Sequence, residues 1–370
     1  MPDRYLSRLR LSAFRNYQAA ALDLDSRHLV LTGPNGAGKT NLLEAVSLLS
    51  PGRGLRRAAF ETLGNQASDQ PWAVAATVET PDGPVDIGTG AAADGGRRVR
   101  INGANARAIE DMSAYLRLLW LTPSMDGLFT GPASDRRRFF DRLVTTLVPS
   151  HSSAVADYEK AMRQRNRLLE ERADPLWLTA LEAEMASHAA ALHFARMDAL
   201  AHLTALIAEA ADDAFPAAAM ALTPLFDGGA EAQSSSALED ELRRQWAAGR
   251  DMDRAAGRTI AGPHRVDLEV AYAQKQMPAA LGSTGEQKAL LVGLILAHAR
   301  LVKRQTGITP LLLLDEIAAH LDPDRRAALF DTLEALDTQC LMTGTDPVLF
   351  AALGARAQLI TVRAGRLEKP

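Results

Sequence analysis

A single cysteine, Cys340, in 370 residues excludes an internal disulfide, and without a second cysteine there is no zinc framework of the C-x-x-C kind. Cys340 reads as a small buried residue. Long apolar runs are scarce as well. The longest, residues 289–297, stops at His298, far short of the roughly 20 residues that a bilayer span needs, so no membrane association is expected. Met-Pro-Asp-Arg-Tyr at the start lacks the apolar core of a secretory signal, and a cytoplasmic location follows as the expectation. A strong excess of positive charge is also missing: 41 Lys and Arg face 45 Asp and Glu, for a net charge of -4. Such a surface does not attract nucleic acid as a whole, so any DNA contact must be local. No helix-turn-helix, zinc-finger or basic-zipper pattern is present, which argues against sequence-specific readout. What the chain does have is apolar material, 47% of its residues, enough to fill the cores of about two domains.

Alternation of apolar residues predicts half-buried strands around Leu9, Leu11 and Ala13 and around Leu22 and Leu24, with a third strand at 28–32. A glycine-rich turn follows, then a helix-like stretch at 42–49. Short strand-like runs at 72–78, 85–87 and 99–101 are broken by Pro81-Asp82-Gly83 and Asp94-Gly95-Gly96, which suggests a meander at a sheet edge. From 135 to about 213 glycine is rare and apolar residues recur at helical spacing, as in Leu181, Met185, His188 and Leu192. A Gly/Ser-rich break at 227–236 marks a loop or the far tip of this helical insert. Strand character returns at 267–273, a long apolar helix is expected at 286–301, and Leu311 to Leu314 fit a parallel strand buried on both faces.

Gly33-Pro34-Asn35-Gly36-Ala37-Gly38-Lys39-Thr40 fits G-x-x-x-x-G-K-[ST], after a strand and at the start of a helix. Glycines let successive N–H groups turn toward phosphate oxygens, and the helix N-terminus adds its positive end. Gly33, Asn35, Gly36, Ala37, Gly38, Lys39, Thr40 and Asn41 are therefore the nucleotide-binding candidates. Lys39 would reach the β- and γ-phosphates, and the Thr40 hydroxyl would ligate Mg²⁺. This motif alone does not choose among kinase, GTPase, transporter ATPase and DNA-repair ATPase. Asp315-Glu316, at the carboxyl end of the leucine strand, supplies a second metal ligand in Asp315 and a residue to orient and deprotonate water in Glu316. GTPases use a glutamine for the water, so the adjacent carboxylates point away from them.

Ser283-Thr284-Gly285-Glu286-Gln287-Lys288, before the long helix, resembles the ABC-type signature S-x-G-[EQ]-Q. A serine and glycine backbone at a helix N-terminus make a second phosphate-binding surface that the chain's own P-loop does not need, which points to a dimer. Ser283 and Gly285, with Gln287 beside them, would then cap the γ-phosphate held by the opposite subunit. The stretch from Lys39 to Ser283 far exceeds that of compact transporter ATPases, and the helical insert accounts for the excess. That organisation resembles the SMC-like ABC ATPase heads of DNA repair and chromosome maintenance. An arm of roughly 80 residues in two antiparallel helices reaches only about 60 Å at 1.5 Å per residue.

Within that group the chain resembles the RecF family of bacterial DNA replication and repair ATPases over essentially its full length. The residues that carry the likeness are Phe14-Arg15-Asn16-Tyr17, Gly131-Pro132 with Arg136-Arg137-Arg138-Phe139-Phe140-Asp141, Tyr158, Gln164-Arg165-Asn166, Gly262-Pro263-His264-Arg265 and the Ser283 signature. The resemblance implies an α/β ABC-type head at 1–130 and 238–370, with a short helical arm inserted at 131–237. It implies ATP and Mg²⁺ as cofactors, an ATP-dependent homodimer, and ATP-dependent binding of double-stranded and gapped DNA. RecR, with RecO, would be the partner in loading RecA at single-strand gaps and duplex junctions. Asp322 matches the D-loop lining the dimer seam. Arg53, Arg56 and Arg57 after the P-loop helix, and Arg136 and Arg137 in the arm, are the DNA-contact candidates. Three departures stand out: Ser124-Met125-Asp126 replaces Glu-Asp-Leu at the Q-loop, Thr343-Gly344-Thr345-Asp346 stands where a switch histidine is sought, and Val266 replaces an acid. The missing histidine points to slow hydrolysis, and the resemblance implies a weak ATPase, stimulated by DNA, whose turnover serves as a switch. His264, beside a proline turn, reads as a local hydrogen-bonding group before it reads as a catalyst. The alternatives are another SMC-like ATPase coupled to a nuclease, and an ATP-binding switch for a protein partner.

Overall fold

The computed structural model describes residues 2–92, 94–209, 214–226, 234–318 and 321–368. The first half holds β1 (Tyr5–Phe14), β2 (Tyr17–Asp23), β3 (His28–Thr32), α1 (Lys39–Ser47), β4 (Ala73–Glu79), β5 (Val85–Ala91), β6 (Arg97–Ile101), β7 (Ala104–Asn105) and β8 (Leu118–Leu121). There follow α2 (Ala133–Leu147), α3 (His151–Glu170), α4 (Pro175–Glu209), β9 (Ala218–Leu222), α5 (Ser235–Ala248), α6 (Arg250–Ala256), β10 (Leu268–Tyr272) and β11 (Met277–Pro278). The chain ends with α7 (Thr284–Thr306), β12 (Leu311–Leu314), α8 (Pro323–Ala335), β13 (Cys340–Gly344), β14 (Ala357–Arg363) and β15 (Arg366–Glu368).

Two compact units result: Met1–Gly127, Glu209–Ala217 and Leu281–Pro370 form the first, Leu128–Ala208 and Ala218–Ala280 the second. The second boundary differs from the reading that returned the chain to the head at 238. Leu238, Leu242 and Trp246 of α5 are buried with Tyr158 and Ala161 of α3 and Met185, Ala189 and Leu192 of α4, so that this stretch belongs to the helical unit. Most of the Gly/Ser-rich break, 227–233, lies outside the described residues.

In the first unit α1 packs between two sheets. An antiparallel sheet of order β2-β1-β4-β5-β6-β7 turns Leu9, Leu11, Val74, Val78 and Ile87 inward, and a mostly parallel sheet of order β15-β14-β3-β13-β12-β8 contributes Leu29, Leu31, Leu311, Leu313 and Leu341. Strand β12 is buried along its whole length between β13 and β8, which explains its unbroken leucines. Arg97 of β6 closes the far end of α1. Its guanidinium donates to the carbonyls of Leu48, Ser50 (3.1 Å) and Gly52 (2.9 Å), and its Nε to Thr89 Oγ1 at 2.8 Å. Burial lowers its pKa to about 10, which leaves it charged at neutral pH, where it complements the negative end of the helix.

In the second unit the residues shared with the RecF pattern act as pins. Arg165, fully buried, donates to Glu182 at 2.9 Å, Asp253 at 2.5 Å, Thr259 at 2.9 Å and the Trp246 carbonyl at 2.9 Å. Removing one partner of such a buried pair costs on the order of 3–5 kcal/mol. Arg196 clamps Asp141 through two bonds of 2.8 and 2.9 Å and also donates to the Pro263 carbonyl at 2.7 Å. Gly262 has φ +137°, and a Cβ there would meet the Tyr158 hydroxyl at 2.7 Å. That hydroxyl lies 2.7 Å from His264 Nδ1, and His264 Nε2 lies 3.0 Å from the Thr259 carbonyl. The carbonyl only accepts, so Nε2 carries a proton, and in the neutral ring Nδ1 accepts from the Tyr158 hydroxyl.

Burial, opposed by the Thr259 carbonyl, lowers the His264 pKa to about 4. The unfolded chain, with an ordinary histidine, binds more protons between that value and about pH 6.5, so the contribution is complete above pH 6.5 and is lost as pH falls toward 4. We expect the unfolding free energy from urea titrations to fall over this window, and the fall to shrink by about 2–3 kcal/mol in His264→Gln. An unchanged pH dependence in that variant would remove His264 as its origin.

Candidate functional site

The P-loop sits between β3 and α1, and its glycines are required by geometry. Gly33 has φ +144°, and a Cβ there would fall 2.2 Å from the Val362 carbonyl oxygen; Gly38 has φ +115°, with the Asn16 amide 2.6 Å from such a Cβ. Gly36, at φ +77°, has nothing within 4 Å of that position, so the middle of the loop opens outward. Pro34, Asn35 and Gly36 are exposed, whereas Ala37, Gly38 and Lys39 are buried. The loop is held from behind by the Phe14-Arg15-Asn16-Tyr17 segment, a role that local sequence pattern does not disclose. Asn16 Nδ2 donates to the Ala37 carbonyl at 3.1 Å and the Tyr17 hydroxyl to the Gly38 carbonyl at 3.0 Å. Asn41 donates to Asn16 Oδ1 at 2.8 Å. Burial pushes the Tyr17 phenol far above its ordinary pKa, which keeps it a donor.

Lys39 Nζ donates to the carbonyls of Gly33 (2.7 Å) and Pro34 (3.2 Å) and lies 3.5 Å from Glu316 Oε1. Thr40 Oγ1 donates to Asp315 at 3.0 and 3.1 Å. Thus the two expected metal ligands and the two expected catalytic side chains converge, from α1 and from the end of β12. Thr343, at the end of β13, completes the group. Its hydroxyl donates to Asp315 Oδ1 at 2.6 Å and accepts from the Glu316 N–H at 2.9 Å. Glu316 is held in a left-handed turn, φ +50°, that most residues avoid. Sequence pattern gives Thr343 no role of its own, since the stretch Thr343-Gly344-Thr345-Asp346 stands out only for lacking a switch histidine. Its only signal was a hydroxyl in the strand beside the acidic one.

A hydroxyl and a carboxylate are hard oxygen donors of the kind Mg²⁺ takes, and the first N–H groups of α1 have no partner within the helix. An outward-facing glycine loop, a lysine and this donor pair fit a nucleoside triphosphate with its metal.

Ser283 caps α7. Its hydroxyl lies 2.9 Å from Glu286 Oε2 and accepts the Glu286 N–H at 3.4 Å, while Ser283 N–H donates to the same carboxylate at 2.9 Å. Ser283 is exposed and Gly285 has nothing within 4 Å of a Cβ position, while Gln287 is buried and donates to the Gly282 carbonyl at 2.8 Å. Lys288 forms an ion pair with Asp126 at 3.5 Å, tying the segment after β8 to α7. Asp322 caps α8 by accepting the Arg325 N–H at 2.8 Å.

The candidate DNA arginines separate into two groups. Arg136 is committed to Asp267 by bonds of 2.9 and 2.7 Å and to the Gly131 carbonyl at 2.5 Å, and Arg137 donates to the Val266 carbonyl at 3.0 Å. Both serve the second unit's architecture, since their guanidiniums are spent on partners brought close by folding. Arg56 shares the buried carboxylate of Glu44 with Arg15, at 2.8 and 2.7 Å. Arg15 and Tyr17 are thus occupied within the fold. Arg53 and Arg57 are exposed.

The family described as RecF/RecN/SMC N terminal domain matches residues 5–366. The DNA replication and repair protein RecF of Mesorhizobium japonicum is 54% identical over 370 residues, 98% of this chain and 97% of that one. RecF of Rhizobium rhizogenes is 54% identical over 375 residues, with 100% of both chains covered. Among solved structures, the recombination mediator protein RecF-ATPrS in the RecFOR pathway superposes with a TM-score of 0.86 at 20% identity, over 100% of this chain and 98% of that one. The Smc head domain of Pyrococcus furiosus, bound to the C-terminal domain of ScpA, gives a TM-score of 0.53 at 17% identity over 99% and 95% of the two chains. These two are likenesses of fold. With almost the whole length inside the family match and more than half of its residues shared with two RecF proteins, the chain belongs to the RecF family of DNA replication and repair proteins, SMC-like ABC ATPases.

Proposed function

We propose that the chain is an ATP-driven DNA clamp of recombinational repair and replication restart. Two copies sandwich two ATP molecules, each between Lys39, Thr40, Asp315 and Glu316 of one subunit and Ser283 and Gly285 of the other. The observation that carries this reading is the convergence of Lys39, Thr40, Asp315, Glu316 and Thr343 at the mouth of an outward-facing P-loop. Lys39 and the N–H groups opening α1 bind the phosphates. Thr40 and Asp315 hold Mg²⁺, which when bound neutralises charge on the phosphate oxygens. Glu316 orients the attacking water and accepts its proton, and Thr343 keeps both acids in place.

Closure of the dimer grips duplex and gapped DNA, with Arg53 and Arg57 among the contacts, and slow, DNA-stimulated hydrolysis reopens it. A solved RecF structure is described as part of the RecFOR pathway, which supports RecR and RecO as the partners; loading of RecA through them is the outcome in this reading. Ser283→Arg puts a bulky cation where the partner's γ-phosphate would be capped. ATP-dependent dimers should be lost while ATP binding by the monomer stays within about twofold, as read by mass in solution and nucleotide titration. Dimers that persist would displace Ser283 from the composite site.

A further inference from the structure

The antiparallel sheet of the first unit buries one face and leaves the other in solvent. Register across the strands sets Arg10 (β1), Ala75 (β4), Gly88 (β5) and Arg100 (β6) in one row, and Ser12, Ala73, Gly90 and Arg98 in the next. None of these eight side-chain positions is buried, because along each strand they alternate with core residues. The two rows hold three arginines and no carboxylate. Arg10 and Arg98 make no ion pair among the described residues, and Arg100 reaches only the Asn105 amide oxygen at 3.4 Å. The adjoining row carries both signs, one arginine and two carboxylates: Arg8 pairs with Asp23 at 3.3 Å, and Asp86 accepts the Thr77 hydroxyl at 2.7 Å.

Between Arg10 and Arg100 the strand positions carry nothing larger than a methyl group, and these two arginines line a shallow groove of about 320 Å³ that Arg8, Thr77 and Asp86 also line, with Arg98 one row beyond it. Strands β1 and β6 are three strand spacings apart, about 14 Å, and Arg98 and Arg100 are about 7 Å apart along their strand. Like charges at these distances repel, and a polyanion laid between them relieves the repulsion. The 14 Å span is comparable to the roughly 12 Å width of a duplex major groove bordered by its two phosphate strands. These rows offer no aromatic ring, so they lack the stacking platform that single strands use. They also offer no side chain shaped to read base edges, which leaves phosphates as the target.

We propose that this face binds the phosphate backbone of duplex DNA without regard to sequence, with Arg10 on one phosphate strand and Arg98 and Arg100 on the other. The assignment rests on the DNA-clamp reading above and gives it a surface made of residues other than Arg53 and Arg57.

The test is binding of the full chain, with ATP, to a random-sequence duplex over a series of salt concentrations. In Arg10→Ala/Arg98→Ala/Arg100→Ala, the slope of log affinity against log salt should become shallower by about 2–3. The corresponding triple lysine variant should keep the slope, and thermal unfolding and ATP affinity should be unaltered in both. An unchanged slope in the alanine variant, with wild type binding normally, overturns this surface alone. Wild type that binds no duplex in any nucleotide state overturns the clamp reading and the surface with it. An equal loss on oligo(dT) overturns the assignment to duplex, and a loss seen only with a polyglutamate probe would assign the face to an acidic protein segment instead.

Discussion

Lys39→Ala should lower ATP affinity about 100-fold and with it abolish ATP-dependent binding to a gapped duplex. The ammonium is the one cation placed inside the P-loop, bonded to the carbonyls of Gly33 and Pro34 and 3.5 Å from Glu316. Charge-assisted contacts to phosphate oxygens are worth roughly twice a neutral hydrogen bond, and two or three of them supply about 3 kcal/mol, hence the factor. Alanine is favourable in a helix, so α1 should persist, and the Asn16 and Tyr17 bonds behind the loop do not involve Lys39. The measurement is binding of labelled gapped duplex at one stated salt concentration, with and without ATP and Mg²⁺. DNA binding that ignores ATP in the wild type, or survives in the variant, would separate DNA affinity from this nucleotide site.

Glu316→Gln should cut turnover by about 10²–10⁴ while leaving ATP binding, dimer and DNA contact intact. Glutamine keeps the size and hydrogen-bonding reach of the side chain but accepts no proton from water. The turn itself should survive, because the Glu316 N–H bond to Thr343 belongs to the backbone and Lys39 retains its two carbonyl partners. If hydrolysis opens the clamp, the variant holds dimer and DNA for much longer after excess unlabelled DNA is added. Release at the wild-type rate would mean that turnover does not gate DNA.

Much of this centre was legible because it is built from local pattern. Gly33 to Thr40 needs glycine at left-handed positions, Asp315 and Glu316 end a strand whose four leucines announce burial on both sides, and Ser283 with Glu286 is a helix start readable from two residues. Thr343 was not legible: an isolated threonine has many uses, and only the pairing of β12 with β13 puts its hydroxyl on Asp315. The arginines show the same limit from the other side. Beside Asp135 and Asp141, Arg136 reads equally as part of a locally paired helix face or as a phosphate contact, yet it pairs with Asp267, far along the chain. Arg10, Arg98 and Arg100 drew no notice, since nothing in their own strands distinguishes them.

By itself, then, the order of residues determined the chemistry on offer: a phosphate loop, a pair of acids, a capping serine, and strands and helices whose periodicity chooses a buried face. These depend on contacts between near neighbours or on the conformational needs of single residues. Tertiary structure alone decided which charges are spent and which remain. An arginine's partner is set by strand register and helix packing between distant segments, which commit half-buried Arg97 and Arg136 and buried Arg165 to carbonyls and carboxylates and leave Arg10, Arg98 and Arg100 in solvent on one face. A charge with no local partner is free only if folding brings none to it, and that outcome is a property of the packed chain.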